Sequence, residues 1–140
     1  MAIPRVVLAD DLPEMLERVT QLLGHDFDIV WVAHNGEQAV QAVATLNPDL
    51  LVLDISMPLL NGFQVASLLR QLGCRTEIVF LTVHEDQDYI EAAFSVEALG
   101  YVFKSRLASD LIPAVEKVLH GHRFTSSPRQ SKLCSAQSAT

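Results

Sequence analysis

The chain has 140 residues, of which 49% are hydrophobic, and this length suits one domain with a substantial core while leaving little room for a second. Its formal net charge of -7 argues against direct nucleic-acid binding by this domain, because such binding relies on clustered Lys and Arg. No apolar stretch approaches the roughly 18 residues of a bilayer-spanning helix, and the N-terminus lacks the pattern of a secretory signal, so we expect a cytoplasmic protein without membrane contact.

Short apolar runs alternate with helical patterns along the chain, as in proteins that build a parallel sheet from strand-helix repeats. In chain order, the predicted elements are a strand at residues 5–9, a helix at 13–24, a strand at 27–33, a helix at 37–46, a strand at 50–53, a helix between 62 and 73, a strand at 78–81, a helix at 86–97, a strand at 101–103 and a helix at 109–120. Runs such as LLVL and IVFL show no polar alternation, which is expected of central strands covered by helices on both faces.

The limits of the helices rest on residues that start or stop them. Pro13 suits a first helical turn because it has no N–H to leave unpaired there, and Gly24 suits the end of that helix. Asn47-Pro48 and Gly121 stop the second and fifth helices. The Ser-rich stretch at residues 125–140 has no periodicity, so we expect one domain at residues 3–124 followed by a disordered tail or the start of a linker.

Five strands alternating with five helices predict an α/β fold of flavodoxin-like order, with a doubly wound five-stranded parallel sheet inside a three-layer α/β/α sandwich. In such sheets, ligands bind outside the carboxyl ends of the strands, where the strand order reverses. The residues directly after each predicted strand are therefore the candidates for chemistry.

Polar residues directly follow four of the predicted strands. Asp10 and Asp11 come after the first strand, Asp54 after the third, Thr82 after the fourth and Lys104 after the fifth. These side chains should converge on one edge of the sheet, where carboxylates brought close together would raise each other's pKa unless a cation were present. Carboxylate oxygens at an open rim suit Mg²⁺, which binds few protein oxygens and keeps several waters, so we expect a magnesium site here.

The same residues fit the requirements of phosphoryl transfer, which is catalysed by positioning and by neutralising charge on the phosphoryl oxygens. A carboxylate can act as the nucleophile and form an aspartyl phosphate, and Asp54 is the best candidate because it lies between the other groups. Lys104 would supply a positive charge against the phosphoryl group, and the Thr82 hydroxyl would supply a hydrogen bond.

A series of motifs resembles the response-regulator receiver family of two-component systems over about residues 3–124. The motifs are Asp10-Asp11, LLVLDISMPLLNG around Asp54, FLTVH with Thr82, and GYVFKS with Tyr101 and Lys104. GYVFKS, the FTSS after the last helix and the overall spacing are similar to the subfamily that has a LuxR-type helix-turn-helix output domain. The stretch after Phe124 is too short for that domain, so we expect either a stand-alone receiver or an excerpt of a longer regulator.

The resemblance implies a phosphorylation switch that catalyses only its own phosphorylation and dephosphorylation. A sensor histidine kinase or phosphotransfer protein would phosphorylate Asp54, with Mg²⁺ held by Asp10, Asp11, Asp54 and the backbone carbonyl of Ser56. Thr82 and Tyr101 would be the switch pair that alters the face formed by the fourth helix, fifth strand and fifth helix. That face would control an output domain or partner, with transcription as one output and a phosphorylation-dependent homodimer left open.

The resemblance also places Ser56 and His84 at the mouth of the site, where the water that hydrolyses the phosphoryl group must approach. Ser56 is small and leaves that path open, whereas His84 could orient the water or crowd it out, and we favour orientation. Considered alone, His84 fits an exposed loop residue slightly better. Many family members have a cis proline after the lysine, but a cis bond at Lys104-Ser105 would cost about 2.5–4 kcal/mol, so we expect it to be trans.

Plainer roles for single residues and other protein classes are the alternatives to this hypothesis. Asp11 could simply cap the helix that begins at Pro13, with Glu14 completing a capping box, and only the joint placement of the polar residues outweighs such alternatives. Metal-dependent phosphatases of the haloacid dehalogenase type have the motif DxDxT after the first strand, whereas this chain has DDLP at that position. A flavodoxin-like carrier would need a Gly- or Ser/Thr-rich phosphate loop there, and the sequence has none.

Overall fold

The computed structural model describes residues 3–127. The elements follow one another as β1 (Arg5–Ala9), α1 (Pro13–Leu23), β2 (Asp28–Ala33), α2 (Gly36–Leu46), β3 (Leu50–Leu53), α3 (Gly62–Gln71), β4 (Glu77–Thr82), α4 (Gln87–Ser95), β5 (Gly100–Phe103), a 3-10 turn (Lys104–Arg106), α5 (Leu107–Leu119) and β6 (Phe124–Thr125). In this range, no helix is both long and apolar enough to cross a membrane.

The strands form one parallel sheet in the order β2-β1-β3-β4-β5-β6, with helices on both faces. One core cluster packs the sheet against α2, α3 and α4, and includes Val7, Leu51 and Phe80. A second packs the other face against α1 and α5, and includes Leu8 and Val52. The predicted doubly wound, three-layer α/β fold is therefore confirmed.

The burial of the central strands explains why their sequences lack polar alternation. Every residue of β3 and β5 is buried, because neighbouring strands flank them and helices cover both faces. The strand order reverses beside β1, which lies between β2 and β3. The carboxyl ends of β1 and β3 are therefore adjacent, and the residues that follow them meet.

The structure differs from the prediction most at its C-terminal end. A sixth strand, β6, pairs with β5, and Ser126 beyond it is buried, so the folded chain continues past the expected limit at Phe124. Two residues are too short to show a strand periodicity, and β6 forms because β5 offers an open edge to it. Residues 128–140 of the predicted tail lie outside the described residues.

Two smaller findings concern the segment after β5. The helix predicted from residue 109 begins at Leu107, directly after the 3-10 turn of Lys104–Arg106. All peptide bonds in the described part of the chain are trans, as expected for the bond between Lys104 and Ser105.

Candidate functional site

The carboxyl ends of β1 and β3 bring Asp10, Asp11 and Asp54 together. One carboxylate oxygen from each lies within 4.8 Å of those of the other two. Asp10 and Asp54 are buried, whereas Asp11 is exposed, so the cluster opens to solvent on one side. The convergence predicted from the strand ends thus places three acidic side chains at one rim of the sheet.

Backbone groups orient the two buried carboxylates. Asp10 Oδ1 accepts a hydrogen bond from the Leu12 N–H at 2.9 Å, and Asp54 Oδ1 accepts one from the Ile55 N–H at 2.7 Å. Leu12, not Asp11, is the N-cap residue of α1, and no side chain caps that helix. The alternative in which Asp11 acts as a helix cap is therefore wrong.

The start of α3 packs directly under Asp54. Asn61 and Gln64 form a capping box there, and the Gly62 N–H donates to the Ile55 carbonyl at 2.7 Å. A Cβ atom at Gly62 would lie 2.4 Å from the Asp54 carbonyl oxygen, so any side chain would push the two segments apart. Asn61-Gly62 therefore fixes the loop that presents Asp54.

Lys104 lies against both buried carboxylates. Its Nζ atom is 2.9 Å from Asp10 Oδ2 and 3.2 Å from Asp54 Oδ2. Burial and the charge of Asp10 raise the pKa of Asp54 to about 6, although the charge and hydrogen bond of Lys104 and the Ile55 N–H act in the opposite direction. One ammonium therefore does not fully offset the cost of holding these carboxylates together.

The cluster suits a hard divalent cation. Asp10 Oδ2 is buried and accepts no well-aligned hydrogen bond from the described residues, although Lys104 Nζ is close enough for an ion pair. Such an oxygen can accept a further positive partner, and carboxylate oxygens at an open rim are the donors that Mg²⁺ prefers. The acidic cluster is thus compatible with metal binding.

The family model for the response regulator receiver domain matches residues 6–116, which is most of the chain. The chain belongs to this family. As a receiver domain of two-component response regulators, it lies outside the classical enzyme families, in agreement with the resemblance seen in the sequence.

Relatives of this receiver include transcriptional regulators. It is 34% identical over 124 residues to the transcriptional regulatory protein YvfU of Bacillus subtilis, covering 87% of this chain and 62% of YvfU. It is 32% identical over 123 residues to the nitrate/nitrite response regulator NarL of Escherichia coli K12, covering 86% of this chain and 57% of NarL. The chain thus spans little more than half of the length of these relatives.

A solved structure shares the fold of this receiver over nearly its whole length. It is a two-component response regulator of the LuxR family from Aurantimonas sp. SI85-9A1, with a TM-score of 0.84 and 26% identity, and the match covers 99% of this chain and all of that one. A DNA-binding response regulator of the LuxR family from Staphylococcus aureus has a TM-score of 0.78 at 26% identity, covering 83% of this chain and 98% of that one.

The other predicted residues of the receiver form a connected group beside the acidic cluster. Thr82 and Tyr101 are both fully buried. Thr82 Oγ1 accepts a hydrogen bond from the His84 N–H at 3.2 Å, and the Tyr101 hydroxyl donates to the His84 carbonyl at 2.7 Å. Burial, and then the nearby acidic groups headed by Asp86, raise the pKa of Tyr101, which stays a neutral donor.

The side chain of His84 connects this group to two further elements. Its Nε2 atom lies 3.0 Å from Ser56 Oγ, and its ring stacks on Tyr89 of α4 with centroids 4.2 Å apart and planes 12° from parallel. Tyr89 could not be predicted from the sequence, because its partner comes from a loop whose path no local pattern specifies. Its only signal is an aromatic side chain in the first turns of α4.

Proposed function

We propose that this receiver is a phosphoacceptor switch in which Asp54 takes a phosphoryl group from the phosphohistidine of a sensor histidine kinase or phosphotransfer protein. The observation that supports this best is the buried Asp54 carboxylate between Asp10 and Lys104, at an open rim of the sheet. A buried anion beside one lysine and two further carboxylates is costly, and such sites are kept for chemistry more often than for stability.

The residues around Asp54 would prepare it for in-line attack. The Ile55 N–H holds Oδ1 and Lys104 holds Oδ2, so the carboxylate has one orientation before the donor arrives. Its pKa of about 6 leaves it mostly ionised at neutral pH. An Asp54 oxygen bonds to phosphorus as the bond between phosphorus and the donor nitrogen breaks, and the released imidazole takes up a proton.

Asp10, Asp11 and Asp54, with the backbone carbonyl of Ser56, would hold Mg²⁺. When bound, the ion supplies positive charge that offsets the charge of the phosphoryl oxygens. Lys104 would contact the phosphoryl group from the side of β5, and the Thr82 hydroxyl would donate a hydrogen bond to it.

Thr82 and Tyr101 would carry the response away from the site. Thr82 Oγ1 holds the His84 N–H, and a move of Thr82 toward a phosphoryl group would shift the His84 backbone. The His84 carbonyl accepts from Tyr101, so the shift would reach β5 and then the face formed by α4, β5 and α5. That face would control an output domain or partner, and the relatives favour transcription as the output.

His84 and Ser56 would set the lifetime of the phosphorylated state. The 3.0 Å contact between Ser56 Oγ and His84 Nε2 supports an imidazole beside the mouth of the site, where it would orient the hydrolytic water. The dephosphorylation rate of His84→Ala decides this point. Slower hydrolysis supports orientation of the water, whereas faster hydrolysis supports crowding.

The central test measures the intact mass of the protein after treatment with a small phosphodonor and Mg²⁺. We expect the wild type to gain one phosphoryl group, and we expect a chelator to suppress the reaction. Asp54→Asn should gain none, whereas Asp88→Asn, which removes an exposed carboxylate on α4, should react like the wild type. If Asp54→Asn is modified as readily as the wild type, the assignment is wrong.

A further inference from the structure

β5, the strand directly before Lys104, is held in place by residues near the C-terminal end of the described part of the chain. β6 lies along β5, with Gly100 paired to Phe124 and Tyr101 to Thr125. The Ser126 N–H then donates to the Tyr101 carbonyl at 2.9 Å. Residues 124–126, called the exit segment below, therefore cover the β5 edge next to the proposed site.

Ser126 makes the decisive contacts of the exit segment. Its hydroxyl accepts a hydrogen bond from the Phe103 N–H at 3.1 Å and donates one to Asp110 Oδ2 at 2.6 Å. Both Ser126 and Asp110 are buried. The hydroxyl thus joins the residue directly before Lys104 to the first turn of α5.

Asp110 completes the connection on the other side of Lys104. Its Oδ2 atom also accepts from Arg106 Nε at 3.1 Å, and its Oδ1 atom accepts from the Ser109 hydroxyl at 2.9 Å. Burial opposes ionisation of Asp110, but these hydrogen bonds and the Arg106 charge outweigh it and lower its pKa. The Asp110 carboxylate, which lies on the core-facing side of α5, therefore stays charged because it accepts hydrogen bonds from the 3-10 turn, from α5 and from the exit segment.

The position of Lys104 Nζ depends on this backbone. A lysine side chain is long and flexible, and here it must place one nitrogen near both Asp10 and Asp54. No proline ring stiffens the next residue, since Ser105 follows with a trans bond and its side chain donates to Glu85 at 2.8 Å. The buried hydrogen bond at the Phe103 N–H and the partly buried ion pair between Arg106 and Asp110 are what fix the chain on either side.

We propose that Ser126 and Asp110 are positioning residues for phosphoryl transfer to Asp54, because they fix the backbone on both sides of Lys104. This inference rests on the proposed function of Asp54. It makes the exit segment part of the phosphorylation machinery. By linkage, a phosphoryl group that contacts Lys104 strengthens the docking of the exit segment.

The test compares phosphorylation rates with a small phosphodonor at saturating Mg²⁺, well below the melting temperature of every variant. We expect Ser126→Ala and Asp110→Asn to react roughly 5- to 50-fold more slowly than the wild type, as expected for a misplaced catalytic group. Saturating Mg²⁺ keeps the metal occupancy equal among the variants, because a displaced Lys104 would also change the charge next to Asp10 and Asp54. Ser127→Ala, which alters the next and exposed hydroxyl, should match the wild type, and Ser126→Thr, which keeps the hydroxyl, should recover most of the rate.

Amide hydrogen exchange separates positioning from mere stability. We expect Ser126→Ala to expose the Phe103 amide while the amides of β3 stay protected. The proposal is wrong if both variants are phosphorylated at the wild-type rate. It is also wrong if their rates fall only in proportion to the fraction of protein that is unfolded. Failure of the proposed function gives a different result. In that case Asp54→Asn would still be phosphorylated, with or without a substitution at Ser126.

Discussion

The charged form of Asp54 is disfavoured in the folded, unphosphorylated domain. In the folded state its pKa rises from 3.8 to about 6, first through burial and then through Asp10. Between these values the folded state binds a proton that the unfolded state has released, so the free energy of unfolding falls as the pH rises through this window. The residue that would perform the chemistry therefore destabilises the fold at neutral pH.

Replacing Asp54 should reveal this cost. In buffer with a chelator at pH 7, we expect Asp54→Asn to raise the free energy of unfolding by about 1–3 kcal/mol, and we expect the gain to vanish near pH 4. Urea unfolding at both pH values measures the difference. Asp88→Asn, on the exposed surface of α4, should show no such pH-dependent gain. A variant less stable than the wild type at pH 7 would mean that Lys104 more than offsets the burial of Asp54.

The residues of the acidic cluster could be predicted because each follows an apolar run in the sequence. The partners of Lys104 beyond the cluster could not, since Ser126 meets Asp110 across 16 positions through the pairing of β6. A signal did exist for Asp110, which shares the core-facing row of α5 with Leu107, Leu111 and Ala114. A carboxylate at that spacing indicates a buried polar contact but does not name its partner.

At the scale of elements, the sequence predicts best where it contains a residue that starts or stops a helix. α1 begins at Pro13, and α2 ends at Leu46, where Asn47 adopts a left-handed conformation before Pro48. β6 cannot be predicted from the sequence, because edge pairing with β5, rather than local periodicity, creates it. The 3-10 turn after β5 cannot be predicted for a similar reason, since its residue Arg106 contacts Asp110, and Asp110 also accepts a hydrogen bond from the distant Ser126.

The link between β4, β5 and α4 can be tested through the Tyr101 hydroxyl. In the wild type, we expect phosphorylation to change amide hydrogen exchange in α4 and β5. Tyr101→Phe loses the hydrogen bond to the His84 carbonyl, so its β5 response should weaken, and its stability should fall by about 1–3 kcal/mol because that carbonyl loses its partner. Tyr89→Phe keeps the ring that stacks on His84 and should respond normally. An unaltered β5 response in Tyr101→Phe would exclude this route.

At the scale of the whole molecule, two helix-covered core clusters stabilise the sheet while one rim holds concentrated negative charge. The apolar clusters extend along both faces of the sheet, and the acidic residues project only beyond the carboxyl ends of β1 and β3. A fold stabilised in this way can tolerate a locally unfavourable site. Relief of the repulsion at that site should therefore appear as a global gain in stability.

Mg²⁺ should raise the thermal stability of the whole domain, because an ion that binds only the folded state adds about 2.7 kcal/mol at 100 times its Kd. For a domain of this size, that corresponds to a rise in Tm of roughly 10 °C, measurable by calorimetry across a Mg²⁺ titration. Asp11 is exposed, so Asp11→Asn should keep a metal-free Tm close to that of the wild type but lose most of the rise. Screening alone would act through ionic strength, so KCl at matched ionic strength is the control and should have little effect on buried charges. If KCl reproduces the rise, or if Asp11→Asn retains it, the acidic cluster is not the site where Mg²⁺ stabilises the fold.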